Sequence, residues 1–257
     1  MNRTAFITGG ASGIGKMTAY LLAEKGFSVA INYRNSGYEA STLAQELNEK
    51  FGIKATIHKG DISKPEDCES LVREVLSIYS CVDVLIHNAG PYIHERKKMA
   101  EYTAEEWNYL LHGNLSSVFL ITKNLLPGMK EKGWGRIITM GFDRAETAPG
   151  WAYRSVFAAA KAGLASLTKS IALEEAEFGI TANMVCPGDI INEWKEKRIA
   201  DACKDKEMAA PVGRAGTGED IARVIAFLTD DQSGFITGSV IPVTGGADVL
   251  GKIYRVE

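Results

Sequence analysis

Thr4-Ala5-Phe6-Ile7-Thr8-Gly9-Gly10-Ala11-Ser12-Gly13-Ile14-Gly15 decides the fold. Thr4–Thr8 is a short apolar and β-branched run, which reads as a strand. A helical pattern of apolar residues begins at about residue 13 and runs to 25. Between them lie the glycines. Gly9, Gly13 and Gly15 let the backbone approach a ligand closely, and a helix N-terminus supplies free N–H groups and a positive dipole end. Strand, glycine turn and helix in that order read as a cradle for the pyrophosphate of a dinucleotide. The alternative is a tight turn with no ligand.

The rest of the chain repeats the alternation. Further strands are expected at Ser28–Tyr33, Lys54–Lys59, Val82–His87, Arg136–Met140, Thr181–Cys186 and Val240–Val243. Most are continuous apolar runs, as in strands covered on both faces. Helical patterns occupy about 37–51, 65–79, 103–131, 152–178 and 218–229. Gly26, Gly52 and Gly179 follow helical patterns as C-terminal stops. Ser63-Lys64-Pro65-Glu66 has the spacing of a capping box, with Pro near the first turn. The expected fold is α/β: one Rossmann-type, doubly wound parallel sheet with helices on both faces, spanning residues 1–257 as a single domain. The charged stretch Asp189–Ala210 interrupts the rhythm. Its helical period in Glu193–Cys203 fits either a substrate loop or a surface helix.

Composition limits the function. The chain has 257 residues, 46% apolar and 24% charged, with a net charge of −3. That excludes a globally basic nucleic-acid binder. No apolar run stands out as a membrane span. Cys68, Cys81, Cys186 and Cys203 are far apart, against both a zinc site and a disulfide framework. His58, His87, His94 and His112 are scattered, so no metal is expected. There is no charged-then-apolar leader, and a reduced, cytoplasmic chain is the expectation.

The second strand bears on the cofactor. A ribose-binding Asp or Glu belongs at its end in an NAD site. The run here is Asn32-Tyr33-Arg34-Asn35-Ser36. Arg34 can pair with a 2′-phosphate and Ser36 can donate to it, which favours NADP(H). A solvated surface arginine is the alternative.

Taken together these motifs resemble the short-chain dehydrogenase/reductase family over nearly the whole chain. Thr8–Gly15 matches its Thr-Gly-x-x-x-Gly-x-Gly. Asp61-Ile62 matches its adenine contact, and His87-Asn88-Ala89-Gly90 stands where the family has Asn-Asn-Ala-Gly. Asn114 matches its catalytic Asn, and Pro187-Gly188 its nicotinamide-side turn. Gly135–Met140, Ala160–Leu164 and Gly213–Gly216 look most like 3-ketoacyl-acyl-carrier-protein reductases. The resemblance implies NADP(H) held by Gly9, Ser12, Gly13, Ile14, Gly15, Arg34, Ser36, Asp61, Ile62, Asn88, Ala89, Gly90, Lys161, Pro187, Gly188 and Ile190. It also implies a small-molecule or acyl-thioester substrate and a homodimer or homotetramer paired through the 103–131 and 152–178 helices. No nucleic-acid or membrane partner is expected.

The family pattern breaks at the proton donor. The family has a Tyr four residues before its Lys and a Ser on the preceding loop. Counting back from Lys161 gives Phe157, and the Ser position reads Phe142. General acid catalysis of this kind is worth about 10²–10⁴-fold. Three readings stay open. Tyr153, with seven residues between it and Lys161, serves as a displaced acid; the alternative is a surface or subunit-contact tyrosine. Asp143 takes up and returns a proton, against an ion pair with Arg144 or a solvated loop carboxylate. In the third, the chain binds NADP(H) without turnover. The candidate catalytic set is Asn114, Lys161, Tyr153 and Asp143. Tyr92 and His94 fit either the substrate mouth or a loop with no contact, and Trp151 either the pocket wall or an interface.

Overall fold

A computed structural model describes residues 3–202 and 210–247. Seven strands form one parallel sheet in the order β3-β2-β1-β4-β5-β6-β7. They are β1 Thr4–Ile7, β2 Ser28–Tyr33, β3 Ala55–Lys59, β4 Val84–His87, β5 Gly135–Met140, β6 Ile180–Pro187 and β7 Val240–Val243. The helices are α1 Gly13–Glu24, α2 Gly37–Phe51, α3 Pro65–Ile78, α4 Ala104–Leu111, α5 Ser117–Lys132, α6 Ser155–Glu174, α7 Ile199–Ala202 and α8 Gly218–Leu228.

Alternation within each strand feeds two cores. Ala5, Ile7, Ile31, Ile86 and Ile138 pack towards α1, α2 and α8. Phe6, Ala30, Leu85 and Ile137 point the other way, towards α3 and α5. Successive side chains of a strand face opposite sides, so runs without polar gaps are what a doubly covered sheet requires. A third cluster, with Phe142, Ala158, Leu164, Met184 and Cys186, sits where α6 meets the ends of β5 and β6.

The 103–131 pattern is helical without a break from Ala104 to Lys132, with a π-helical turn at His112–Ser116 that carries Asn114. Three local expectations are corrected. The 152–178 pattern begins as α6 only at Ser155; Tyr153 precedes it in a loop at φ +65°. Arg154 breaks the helix by taking φ −137°. Ser63 forms no capping box: its N–H and Oγ both donate to the Asp61 carboxylate, at 3.0 and 2.7 Å. A charged acceptor two residues away wins over the helix end. Asn192–Glu196 is a 3-10 turn, not a continuous helix to Cys203; that cysteine lies outside the described residues. The Ala-rich α6 is long and apolar enough to cross a membrane, but half of that window is buried inside the molecule. It occupies the place of a core helix.

Candidate functional site

The strand order reverses between β2-β1 and β4-β5, and a crevice opens there at the carboxyl ends of the strands. A cavity of about 540 Å³ fills it. The two walls are clamped together. Asn88 Nδ2 donates to the carbonyls of Thr8 and Gly9, each at 3.0 Å, and Ala89 N donates to Thr8 Oγ1 at 3.0 Å. The clamp leaves no room for side chains. A Cβ at Gly15 would collide with the Gly9 carbonyl and lie 2.7 Å from Asn88 Nδ2.

The glycine turn is shaped for an anion, and a carboxylate stands on it. Gly13 N donates to Glu196 Oε1 at 2.7 Å, and Lys16 Nζ meets Glu196 Oε2 at 2.8 Å. Burial pushes the Glu196 carboxyl up, but these two bonds outweigh it and hold the group below its ordinary value. Glu196 belongs to the turn after β6, which thereby straps over α1. Its side chain takes the place a phosphate oxygen would take at a helix N-terminus.

Most expected cofactor residues line the cavity together. Gly9, Ser12, Gly13 and Ile14 form one end; Asp61, Ile62 and Arg34 the side; Asn88, Ala89 and Gly90 the floor. Arg34 Nη1 donates to Tyr109 Oη at 2.8 Å and lies 3.7 Å from the Asp61 carboxylate. The Tyr109 bond, more than Asp61, raises its already high pKa. Ser36 heads α2 instead, and the cavity's described lining does not include it. Pro187, Gly188 and Ile190 lie at the end of β6, also outside that lining. Gly188 N bonds to Val243 O at 2.9 Å, and Ile190 is buried in the core.

Lys161 and Asn114 meet beneath Gly90. A Cβ added to Gly90 would collide with Asn114 Oδ1 and lie 3.5 Å from Lys161 Nζ. Asn114 Nδ2 donates to Pro91 O and Leu110 O, while its Oδ1 is buried without a partner. Lys161 is 5% exposed and donates to Met140 O at 2.7 Å. Burial drives its ammonium down to about 8, with the Cys186 thiol pulling weakly the other way. His87 ends β4, buried, 2.9 Å from Thr122 Oγ1, and burial followed by Lys161 pushes it down to about 3.

The remaining candidates separate. Asp143 is nearly buried and lies 3.8 Å from the Arg144 guanidinium. Tyr153 packs its ring against Arg96, 4.4 Å from the guanidinium carbon. Because α6 starts after it, it does not share a helix face with Phe157 and Lys161. Phe157 sits with its ring centroid 5.7 Å from Lys161 Nζ and joins Tyr92, Phe142 and Trp151 in one aromatic cluster. Tyr92 and His94 line the cavity. Tyr109, Lys195, Glu196 and Arg154 complete the surroundings, and no motif in the sequence singled them out. Glu196 lay inside a charge-rich run, where one carboxylate among many carries no signal. Among the described residues, no group of three or more His, Cys, Asp or Glu could hold a metal ion.

Known proteins share this architecture. A family profile described as enoyl-(acyl carrier protein) reductase matches residues 9–248. A Bacillus subtilis protein named "Putative oxidoreductase YtkK" is 50% identical over 97% of this chain and 98% of its own. A Staphylococcus epidermidis protein named 3-oxoacyl-[acyl-carrier-protein] reductase FabG is 36% identical over 96% of this chain and 99% of its own. A solved "putative 3-oxoacyl-reductase" from Bacillus thuringiensis superposes with a TM-score of 0.90. It is 46% identical and covers 97% of this chain and 100% of that one.

The buried lysine makes stability pH-dependent. The folded chain binds the Lys161 proton only below about 8, while an ordinary lysine binds it up to 10.5. Between those values the unfolded state holds more protons, so the lysine's contribution to stability improves as pH rises through that window. Lys161→Met is therefore expected to raise the Tm of the ligand-free chain at pH 7 and to lose that advantage near pH 10.5. Thermal melts at both pH values check this; a lower Tm at pH 7 contradicts it.

Proposed function

Because this chain belongs to the short-chain dehydrogenase/reductase family, whose members bind nicotinamide cofactors, we propose that it is an NADPH-dependent reductase of a carbonyl or an activated double bond. The observation that carries the proposal is the anion-shaped glycine turn, with Arg34 beside the same cavity and no acid at the end of β2. Gly9, Ser12, Gly13, Ile14 and Gly15 would hold the pyrophosphate, and one of its oxygens would displace the Glu196 carboxylate from Gly13 N. Arg34 would take the 2′-phosphate, with Tyr109 holding its guanidinium in place; Asp61 and Ile62 would meet the adenine. Asn88, Ala89 and Gly90 would meet the ribose, and Lys161 the nicotinamide ribose. The unpartnered Asn114 Oδ1 beneath Gly90 is an acceptor suited to a water or a ribose hydroxyl.

Bound there, NADPH supplies a hydride. The chain's own residues must hold the acceptor, exclude water and deliver a proton to the oxygen or carbon that gains charge. Phe142 and Phe157 exclude water but carry no proton. The relative named as a 3-oxoacyl-acyl-carrier-protein reductase favours an acyl-thioester substrate. A second reading, a nucleotide binder without turnover, is favoured by Phe157 beside Lys161.

Fluorescence titration with NADPH and NADH, followed by oxidation at 340 nm with ketoacyl and enoyl thioesters and quinones, separates the readings. Preferred NADPH binding with turnover is expected. Binding without turnover across the panel favours the silent binder, and no binding of either nucleotide overturns both. In the same titration, Glu196→Gln is expected to tighten NADPH by about tenfold, since a charge-assisted competitor is lost from the turn. Unchanged affinity would show that Glu196 does not compete. Trp107 of α4, Phe119 of α5 and Leu173 of α6 are large, exposed and apolar, which supports subunit pairing through these helices. Light scattering is expected to give a dimer or tetramer, and a monomer would refute the pairing.

A further inference from the structure

We propose that Tyr92, rather than Tyr153, delivers the proton when this site reduces a carbonyl; the inference rests on the reductase reading above. Tyr92 lines the crevice beside Gly90 and Asn88. Its ring meets that of Phe157 edge-on, with centroids 5.0 Å apart at 89°. Phe157 in turn stands one helical turn before Lys161, its ring 5.7 Å from the ammonium. A phenol therefore flanks the ring one helical turn before Lys161 that carries no hydroxyl.

The phenol oxygen is held by a cation. Arg154 Nε donates to Tyr92 Oη at 2.5 Å. Three more bonds fix that guanidinium: Nη1 donates to Glu95 O at 2.7 Å and Tyr153 O at 2.9 Å, and Nη2 to His94 O at 2.9 Å. Arg154 immediately precedes α6, so its fork ties the loop bearing Tyr92 to the helix bearing Lys161. A hydroxyl oxygen that accepts from a guanidinium keeps its own proton free to donate. The guanidinium also stays beside the oxygen after that proton leaves. His94 packs edge-on against Tyr92 at 5.1 Å, and beyond Phe157 the rings of Trp151 and Phe142 close a largely apolar wall.

Tyr153 lacks this setting. Its backbone φ is +65°, its ring lies against Arg96, and its carbonyl serves as acceptor for Tyr102 and Arg154. Its position is fixed by groups on the loop side of the site.

NADPH held in the crevice would supply a hydride to the carbonyl carbon, and the C=O π pair would move to oxygen. That oxygen takes the Tyr92 proton and becomes the alcohol. The Tyr92 phenolate, still bonded to Arg154, regains a proton from water. One NADPH and one solvent proton are consumed for each carbonyl reduced.

The test compares wild type, Tyr92→Phe, Tyr153→Phe and the double variant Tyr92→Phe/Phe157→Tyr. NADPH affinity and steady-state turnover are measured with 3-ketoacyl thioesters and quinones. Tyr92→Phe is expected to lower kcat by about 10²–10⁴-fold while NADPH affinity holds, which shows that the fold survives. Tyr153→Phe should lose far less. The double variant should recover activity over Tyr92→Phe, because it restores a phenol one turn from Lys161. Three results overturn the inference. One is Tyr92→Phe keeping its kcat. Another is Tyr153→Phe losing more than Tyr92→Phe. The last is a wild type that binds NADPH but turns over nothing on the panel. Failure of the wild type to bind NADPH overturns the underlying reading instead, so the two failures are distinguishable.

Discussion

The Asn88 side-chain amide holds the crevice in shape. It reaches from the end of β4 to the Thr8 and Gly9 carbonyls after β1, across the point where the strand order reverses. Two loops that belong to different halves of the sheet are thereby held at hydrogen-bond distance. Everything in the site depends on that spacing. Gly15 has no side chain because Asn88 and the Gly9 carbonyl occupy its place. The N-terminus of α1 faces the cavity because the turn before it cannot relax outward. The Glu196 carboxylate then finds an amide and an ammonium already aimed at a negative charge.

The other end of the crevice is built on burial. Lys161 lies almost wholly inside the molecule, bonded to Met140 O, with Phe157 beside it and Cys186 close enough to perturb its charge. Keeping an ammonium there costs the ligand-free fold stability. Such a cost is common at sites where a ligand supplies the missing partner. The rings of Tyr92, Phe142, Trp151 and Phe157 pack together beside it. Asn114 Oδ1 is buried there without a partner, and a polar atom left so in a low-dielectric interior costs more than one facing water.

The sheet was legible because its signals are local and repeated. A continuous apolar run such as Val84–His87 has few alternatives to a doubly covered strand, and Ser28–Tyr33 and Val240–Val243 form strands over the residues expected. Helix boundaries were less legible. Residues 103–131 are helical almost over the expected span, but the π turn at His112–Ser116 inside them leaves no mark in the apolar stripe. Nothing in a periodic pattern records one extra residue in a turn. The helix expected from 152 starts at 155 because Arg154 leaves helical geometry to serve the Tyr92 loop.

The parallel sheet, the glycine turn and part of the crevice lining could be read from the chain alone. Each of these follows from spacing within a few residues of one strand end. Which side chains meet across long separations follows from the packing of the folded chain. Arg154 and Tyr92 lie 62 residues apart, Gly13 and Glu196 lie 183 apart, and Arg34 and Tyr109 lie 75 apart. Such pairs leave no period and no motif in the chain. They exist because the sheet brings the ends of its strands to one edge, where loops of unrelated sequence must satisfy one another's charges and hydrogen bonds.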